Sequence, residues 1–265
     1  MKVLFLGGNR FVGKALAERF IGFGYEVTVF NRQGTGPKGA TIIQGDRNSR
    51  GDMTKIPFIE FDIVVDFCLF KPEQLELMKN YIFPVTKYIF ISSASVGREE
   101  WGAYGKEKEE CEALVKDYFY NFTIIRPPYI DGPNSHRART AQIINQIENG
   151  LPVTIDGDGE YVFNVTWVDD VVMFISKVVE SNWYNNDVIK LACAEQYTMN
   201  EYIQIIAKFL DKTYETAFDS KPFWAPANDL GVAPNQFSID FKPVTEKLED
   251  FYQWYKTYGI NKYGY

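Results

Sequence analysis

Tyr104 and Lys108 are residues whose types and spacing suggest chemistry. Four positions apart in a helix-compatible stretch, they fall on one helix face, so an ammonium can lie near a phenol and favour its ionised form. A phenol of ordinary pKa, near ~10, is a poor base at neutral pH unless a cation lowers it. Such a pair suits proton exchange with a hydroxyl or carbonyl oxygen. A second signal stands at the start of the chain. The apolar run Lys2 to Leu6 feeds Gly7-Gly8-Asn9-Arg10-Phe11-Val12-Gly13, and a helix-compatible stretch, Lys14 to Phe23, follows. Strand, glycine turn and helix in this order form the seat of a dinucleotide pyrophosphate; taken alone, the same order is also a tight turn that binds nothing. Together the two signals point to hydride transfer.

These residues need a scaffold. Glu26 to Phe30, Thr41 to Gln44, Ile63 to Phe67, Lys87 to Ile91 and Phe122 to Ile125 read as further strands, while Glu73 to Tyr81 and Tyr104 to Tyr118 carry helical periodicity. The alternation predicts an α/β class: a doubly wound (Rossmann) parallel sheet covered on both faces. The connection from Asn31 to Ala40 has no helical pattern and reads as a loop. After Pro127 the texture breaks into short pieces at Gly132-Pro133, Gly150, Pro152 and Asp156-Gly157-Asp158-Gly159, followed by helices over Asp169 to Val179, Met199 to Phe209 and Val244 to Tyr258. The expected organisation is a dinucleotide-binding domain over 1–132, joined by a later strand and helix near 165–192, with 133–265 mainly a smaller C-terminal substrate lobe.

The glycine turn carries Arg10 where a dinucleotide loop usually has its middle glycine, which puts a cation where phosphates would lie. At the end of the second strand, where NAD-preferring folds hold an acidic residue for the ribose hydroxyls, the chain has Asn31 and then Arg32. NADP is therefore favoured, with NAD as the alternative; Arg32 otherwise reads as a solvated loop arginine. Asp46-Arg47 is placed for the adenine edge or is a surface turn. Phe67-Cys68-Leu69 lies along the cofactor phosphates and ribose, or is a buried strand end.

The series Gly7 to Gly13, Asp46-Arg47, Ser92-Ser93-Ala94-Ser95-Val96, Tyr104 to Lys108, Arg126 to Pro133 and Trp167 to Val171 resembles the extended short-chain dehydrogenase/reductase family. Within it, the chain is similar to NAD-dependent epimerase/dehydratase proteins that act on nucleotide sugars. The resemblance implies that Tyr104 is the general acid/base, that Lys108 stabilises the tyrosinate and bonds the nicotinamide ribose, and that Ser93 bonds the substrate oxygen. Ser92 and Ser95 compete for the last role. It further implies cofactor contacts at Pro127, Tyr129 and Ile130, a sugar or nucleotide-sugar substrate, and a homodimer as one assembly. The arginine inside the glycine turn also resembles a subgroup that includes chloroplast stem-loop-binding proteins, some of them associated with RNA. Two departures bear on the substrate: the segment from Ser93 to Tyr104 is short and lacks the tyrosine that often follows Val96, and the second lobe is small.

Composition bounds these readings. With 46% hydrophobic and 24% charged residues the chain reads as globular, and a net charge of -7 argues against a general phosphate-backbone binder. Nucleic acid is thus the less favoured partner. Cys68, Cys111 and Cys193 are too scattered for a disulfide framework or zinc site, and no apolar run reaches membrane length, so a cytoplasmic protein is expected. No metal is expected either: Asp156, Asp158 and Glu160 read as a surface turn, and the lone His136 as a solvated loop residue. Epimerase, dehydratase and reductase share the same first hydride step. A dinucleotide-fold scaffold binding RNA or a protein, with its trio idle, is the rival class.

Overall fold

The computed structural model describes residues 1–181, 184–193, 195–219 and 241–260, apart from the side chains of Asp156 and Asp219. Residues 220–240 and 261–265 of the expected second lobe lie outside the described residues. The chain divides into two compact units, Met1–Pro127 with Val171–Lys190, and Pro128–Asp170 with Leu191–Tyr265.

The first unit begins β1 (Lys2–Leu6), α1 (Phe11–Gly22), β2 (Glu26–Asn31), β3 (Thr41–Gln44), α2 (Arg50–Met53), β4 (Ile63–Asp66) and α3 (Pro72–Met78). It continues with β5 (Lys87–Ile91), α4 (Gly102–Tyr118) and β6 (Phe122–Arg126). The second unit then contributes β7 (Tyr129–Asp131), α5 (Arg139–Glu148), β8 (Val153–Asp156), β9 (Val162–Phe163) and β10 (Val165–Trp167). Helix α6 (Val168–Glu180) leads to β11 (Asp187–Lys190), which pairs with β6. The chain ends β12 (Tyr197–Thr198), α7 (Met199–Phe209), β13 (Thr216–Asp219) and α8 (Val244–Tyr258).

The expected doubly wound parallel sheet is present, with seven strands in the order β11-β6-β5-β4-β1-β2-β3. β1, β4 and β5 are apolar on both faces because helices cover both, so they read as continuous runs such as VLF and IVV. One buried cluster runs from Leu4, Leu6 and Val64 through Leu75 and Met78 to Cys111, Val115 and Phe119. It fixes α3 and α4 to one face of the sheet. Helix α1 starts at Phe11, inside the glycine turn, rather than at Lys14.

The second unit is assembled from short pairs: β7 with β10 and β8 with β13, both parallel, and β9 with β12 antiparallel. Trp167 packs on Phe251 at 5.3 Å, and Lys247 bonds both Asp169 and Asp170. The turn at Asp158 and Glu160 is an exposed one, closed by Glu160 N–H on Asp158 Oδ1 at 3.0 Å. Among the described residues no helix is long and apolar enough to cross a membrane.

Candidate active site

β1 ends between both neighbours: Gly7 N–H donates to Phe30 O and Phe67 N–H to Leu6 O, each at 3.0 Å. The strand order reverses at this point, which opens a crevice at the carboxyl ends of the strands. Gly7 has φ +92, a conformation that suits glycine. A Cβ on Gly8 would stand 2.7 Å from Phe5 Cβ, and one on Gly13 would stand 2.9 Å from Gly8 Cα. Phe11, with φ +42, sits in a region L residues rarely adopt, and such strain gathers at ligand sites. The first turn of α1 has no acidic residue, which leaves its positive end suited to an anion. The turn therefore fits a dinucleotide pyrophosphate on backbone alone.

Beyond the turn, Asn31 is buried and shapes its own loop: its Nδ2 donates to Thr35 O at 2.7 Å and its Oδ1 accepts from Gln33 N–H at 3.0 Å. Gln33, which sequence reasoning missed, accepts at Oε1 from Asn9 Nδ2 (2.6 Å) and from Arg10 Nε (3.1 Å). Arg10 and Arg32 are exposed, so two guanidiniums stand in this loop region without an acidic residue at the end of β2.

Arg47 takes a role that its place in the sequence did not suggest. It is buried and grips Asp66 through Nη1 and Nη2, at 2.8 and 2.9 Å, so its guanidinium faces inward rather than lying with Asp46 at an adenine edge. Asp46 accepts instead from Asn48 N–H at 2.9 Å. Phe67 stacks on Phe5, Cys68 is half-buried and Leu69 is buried.

The three serines after β5 have separate duties. Ser92 is buried and donates to Glu112 Oε1 at 2.6 Å, where Arg126 Nε also donates at 2.8 Å. Ser95 turns its N–H (3.2 Å) and hydroxyl (2.9 Å) onto Ser93 Oγ. With both acceptor sites filled, Ser93 keeps its own proton to donate outward. A Cβ on Gly105 would lie 2.6 Å from Ser95 O, so glycine allows the first turn of α4 to close on this serine turn. Tyr104, 40% exposed, is thereby carried to Ser93. Burial pushes its phenol above the usual value, and the hydrogen bond with Ser93 works the other way.

Lys108 finds its hydrogen-bond partners on the backbone. It is 2% exposed; its Nζ donates to Leu69 O at 2.8 Å and Ile91 O at 3.2 Å, between the rings of Phe70 and Phe90. Burial pulls its pKa down to about 8, opposed chiefly by Asp66. The backbone carbonyls take up the ammonium. Pro127 is buried and accepts from Ala94 N–H at 3.0 Å, while Tyr129 and Ile130 belong to β7 of the second unit. His136 is exposed in the loop before α5.

A glycine turn at the switch point of a seven-stranded parallel sheet in Rossmann order, with a Tyr and Lys on the helix after β5, is a fold of the short-chain dehydrogenase type. Residues 103–192 match the model of the NAD dependent epimerase/dehydratase family, which binds NAD(P). In fold it is similar to the UDP-glucose 4-epimerase of Thermotoga maritima, solved with UDP-glucose (TM-score 0.78, 19% identity, 97% of this chain and 99% of that one). It is likewise similar to the UDP-glucuronic acid 4-epimerase of Bacillus cereus, solved with UDP-glucuronic acid and NAD (TM-score 0.76, 19% identity, 97% and 99% covered). At such identities the likeness concerns the fold. Over 78% of its length the chain is 23% identical to the chloroplast stem-loop binding protein of 41 kDa b from Arabidopsis thaliana, and the match spans 62% of that protein.

Proposed function

We propose that the chain is an NAD(P)-dependent epimerase-, dehydratase- or reductase-type enzyme that moves hydride between a nicotinamide and a sugar or nucleotide-sugar hydroxyl or carbonyl. The observation that carries this reading is the Ser93 hydroxyl, backed by Ser95, set at Tyr104 on the carboxyl side of β5. A nicotinamide dinucleotide, when bound, supplies or accepts the hydride. Residues Gly7 to Gly13 hold its pyrophosphate, Phe67, Cys68 and Leu69 border its ribose and phosphates, and Lys108 bonds the nicotinamide ribose once its carbonyl partners yield. Arg10 and Arg32 meet a 2′-phosphate, which favours NADP.

Tyr104 holds the proton exchanged with the substrate oxygen. Its raised pKa keeps the phenol protonated at neutral pH, so in this state it is a donor. Ser93 donates to the same oxygen and steadies the charge that develops there. The test is turnover of wild type and Tyr104→Phe with oxidised dinucleotide and a set of UDP- and dTDP-sugars, and with reduced dinucleotide and their keto derivatives. A Tyr104→Phe variant that turns over as fast as wild type would overturn the assignment.

The name of the Arabidopsis relative supports a second reading, a dinucleotide-fold scaffold that binds a nucleic-acid stem-loop. Stem-loop RNA held at physiological salt by a protein that binds no dinucleotide is its signature.

A further inference from the structure

The segment Asp66–Leu69 passes beside the glycine turn and is held at both ends. Asp66, 0% exposed, accepts from Arg47 Nη1 and Nη2, from the Tyr88 hydroxyl at 2.5 Å and from Cys68 N–H at 2.9 Å. Arg47 Nη1 also donates to Cys68 Sγ at 3.3 Å. A Cβ on Gly7 would stand 3.2 Å from Cys68 Sγ, so the thiol lies close against the backbone of the glycine turn. At the other end Leu69 O receives Lys108 Nζ. β3 and β4 are separated in the sheet by β2 and β1, so the fork on Arg47, which follows β3, ties the far edge of the sheet to this segment.

A buried ion pair often adds no more stability than apolar residues of the same volume, whereas its two parallel bonds fix direction closely. Burial opposes ionisation of Asp66, yet Arg47 beside it holds the carboxyl below its ordinary range. We propose that Arg47, Asp66 and Tyr88 are a positioning network for the dinucleotide: they set segment 66–69 against the glycine turn and so determine affinity for NAD and NADP alike. This rests on the enzymatic reading above.

The test replaces the network as a whole, Arg47→Met with Asp66→Leu and Tyr88→Phe, which removes the charges and the hydroxyl together. NAD and NADP are then titrated by calorimetry, and Cys68 alkylation by iodoacetamide is mapped by mass. The expected result is a ligand-free melting temperature within about 5 °C of wild type, both dinucleotides weakened about tenfold by a common factor, and faster alkylation of Cys68. Arg47→Lys, which keeps the charge and loses the fork, weakens both about threefold and carries the test if the triple variant does not fold. Variants that bind both dinucleotides like wild type overturn the network while leaving the enzymatic reading intact. Wild type that binds neither overturns both.

Discussion

The glycine turn and the serine–tyrosine site stand at the carboxyl ends of the same sheet and are made of different things. The turn is a backbone device: Gly7, Gly8 and Gly13 work by what they lack, and each added Cβ meets atoms at 3.2 Å or less. The serine–tyrosine site is a side-chain device whose members are oriented by groups far away in sequence. Ser92 is drawn off by Glu112, Lys108 by Leu69 and Ile91, and Ser93 alone is left with Tyr104. A backbone site fails by steric collision and loses ligand binding. A side-chain site fails by loss of one functional group and loses rate.

That contrast predicts separable phenotypes. The largest is in rate: Tyr104→Phe lowers turnover by about 10²- to 10⁴-fold while dinucleotide affinity stays within twofold, read by steady-state kinetics beside calorimetry. Next, Gly13→Ala puts a Cβ against backbone that cannot swing aside, Gly8 Cα at 2.9 Å and Gly7 O at 3.2 Å. It is expected to cost about 1–3 kcal/mol in denaturant unfolding and to weaken both dinucleotides. Gly105→Ala breaks the comparison in the other direction, because its Cβ meets Ser95 O and displaces Tyr104. Turnover falls and dinucleotide binding holds.

Lys108 gives a pH signature. Its folded pKa, about 8, lies below the unfolded value of 10.5, so between these limits the unfolded chain binds the extra proton. Its burial cost is present in full below pH 8 and is relieved as pH rises toward 10.5. The stability of wild type relative to Lys108→Met should therefore climb by up to about 3 kcal/mol over that window. A flat difference across pH 7 to 10.5 contradicts the buried ammonium. The smallest expected effect is Arg10→Ala, which weakens NADP by about fivefold more than NAD because an exposed guanidinium contributes only about 1 kcal/mol. Equal losses for the two remove the phosphate role.

Legibility in the sequence follows the same division. β1, β3, β5, α7 and α8 have the boundaries their apolar periodicity predicts, because patterning is local. Helix α5 was hidden: Ala141, Ile143, Ile144 and Ile147 form its buried face, but glycine and proline on either side made the region read as fragments. The glycine turn was readable since its message is a lack of side chains. The pairing of Arg47 with Asp66 was not, because it joins the segment after β3 to the end of β4 across the intervening β2 and β1. Nor was the capture of Lys108, whose i,i+4 relation to Tyr104 says which face it is on and nothing about competing carbonyls. Ser95 was in view as a competitor of Ser93, and the role of Gly105 could have been found from its place directly after Tyr104.

The central claim is that the glycine turn serves a nicotinamide dinucleotide. Thermal unfolding of the wild-type chain titrated with NADP and then NAD tests it directly, since a ligand that prefers the native state raises the melting temperature with its concentration. The account predicts a saturable rise with both, reached at lower concentration for NADP. A melting temperature indifferent to both, with a rise on addition of stem-loop RNA, would contradict it.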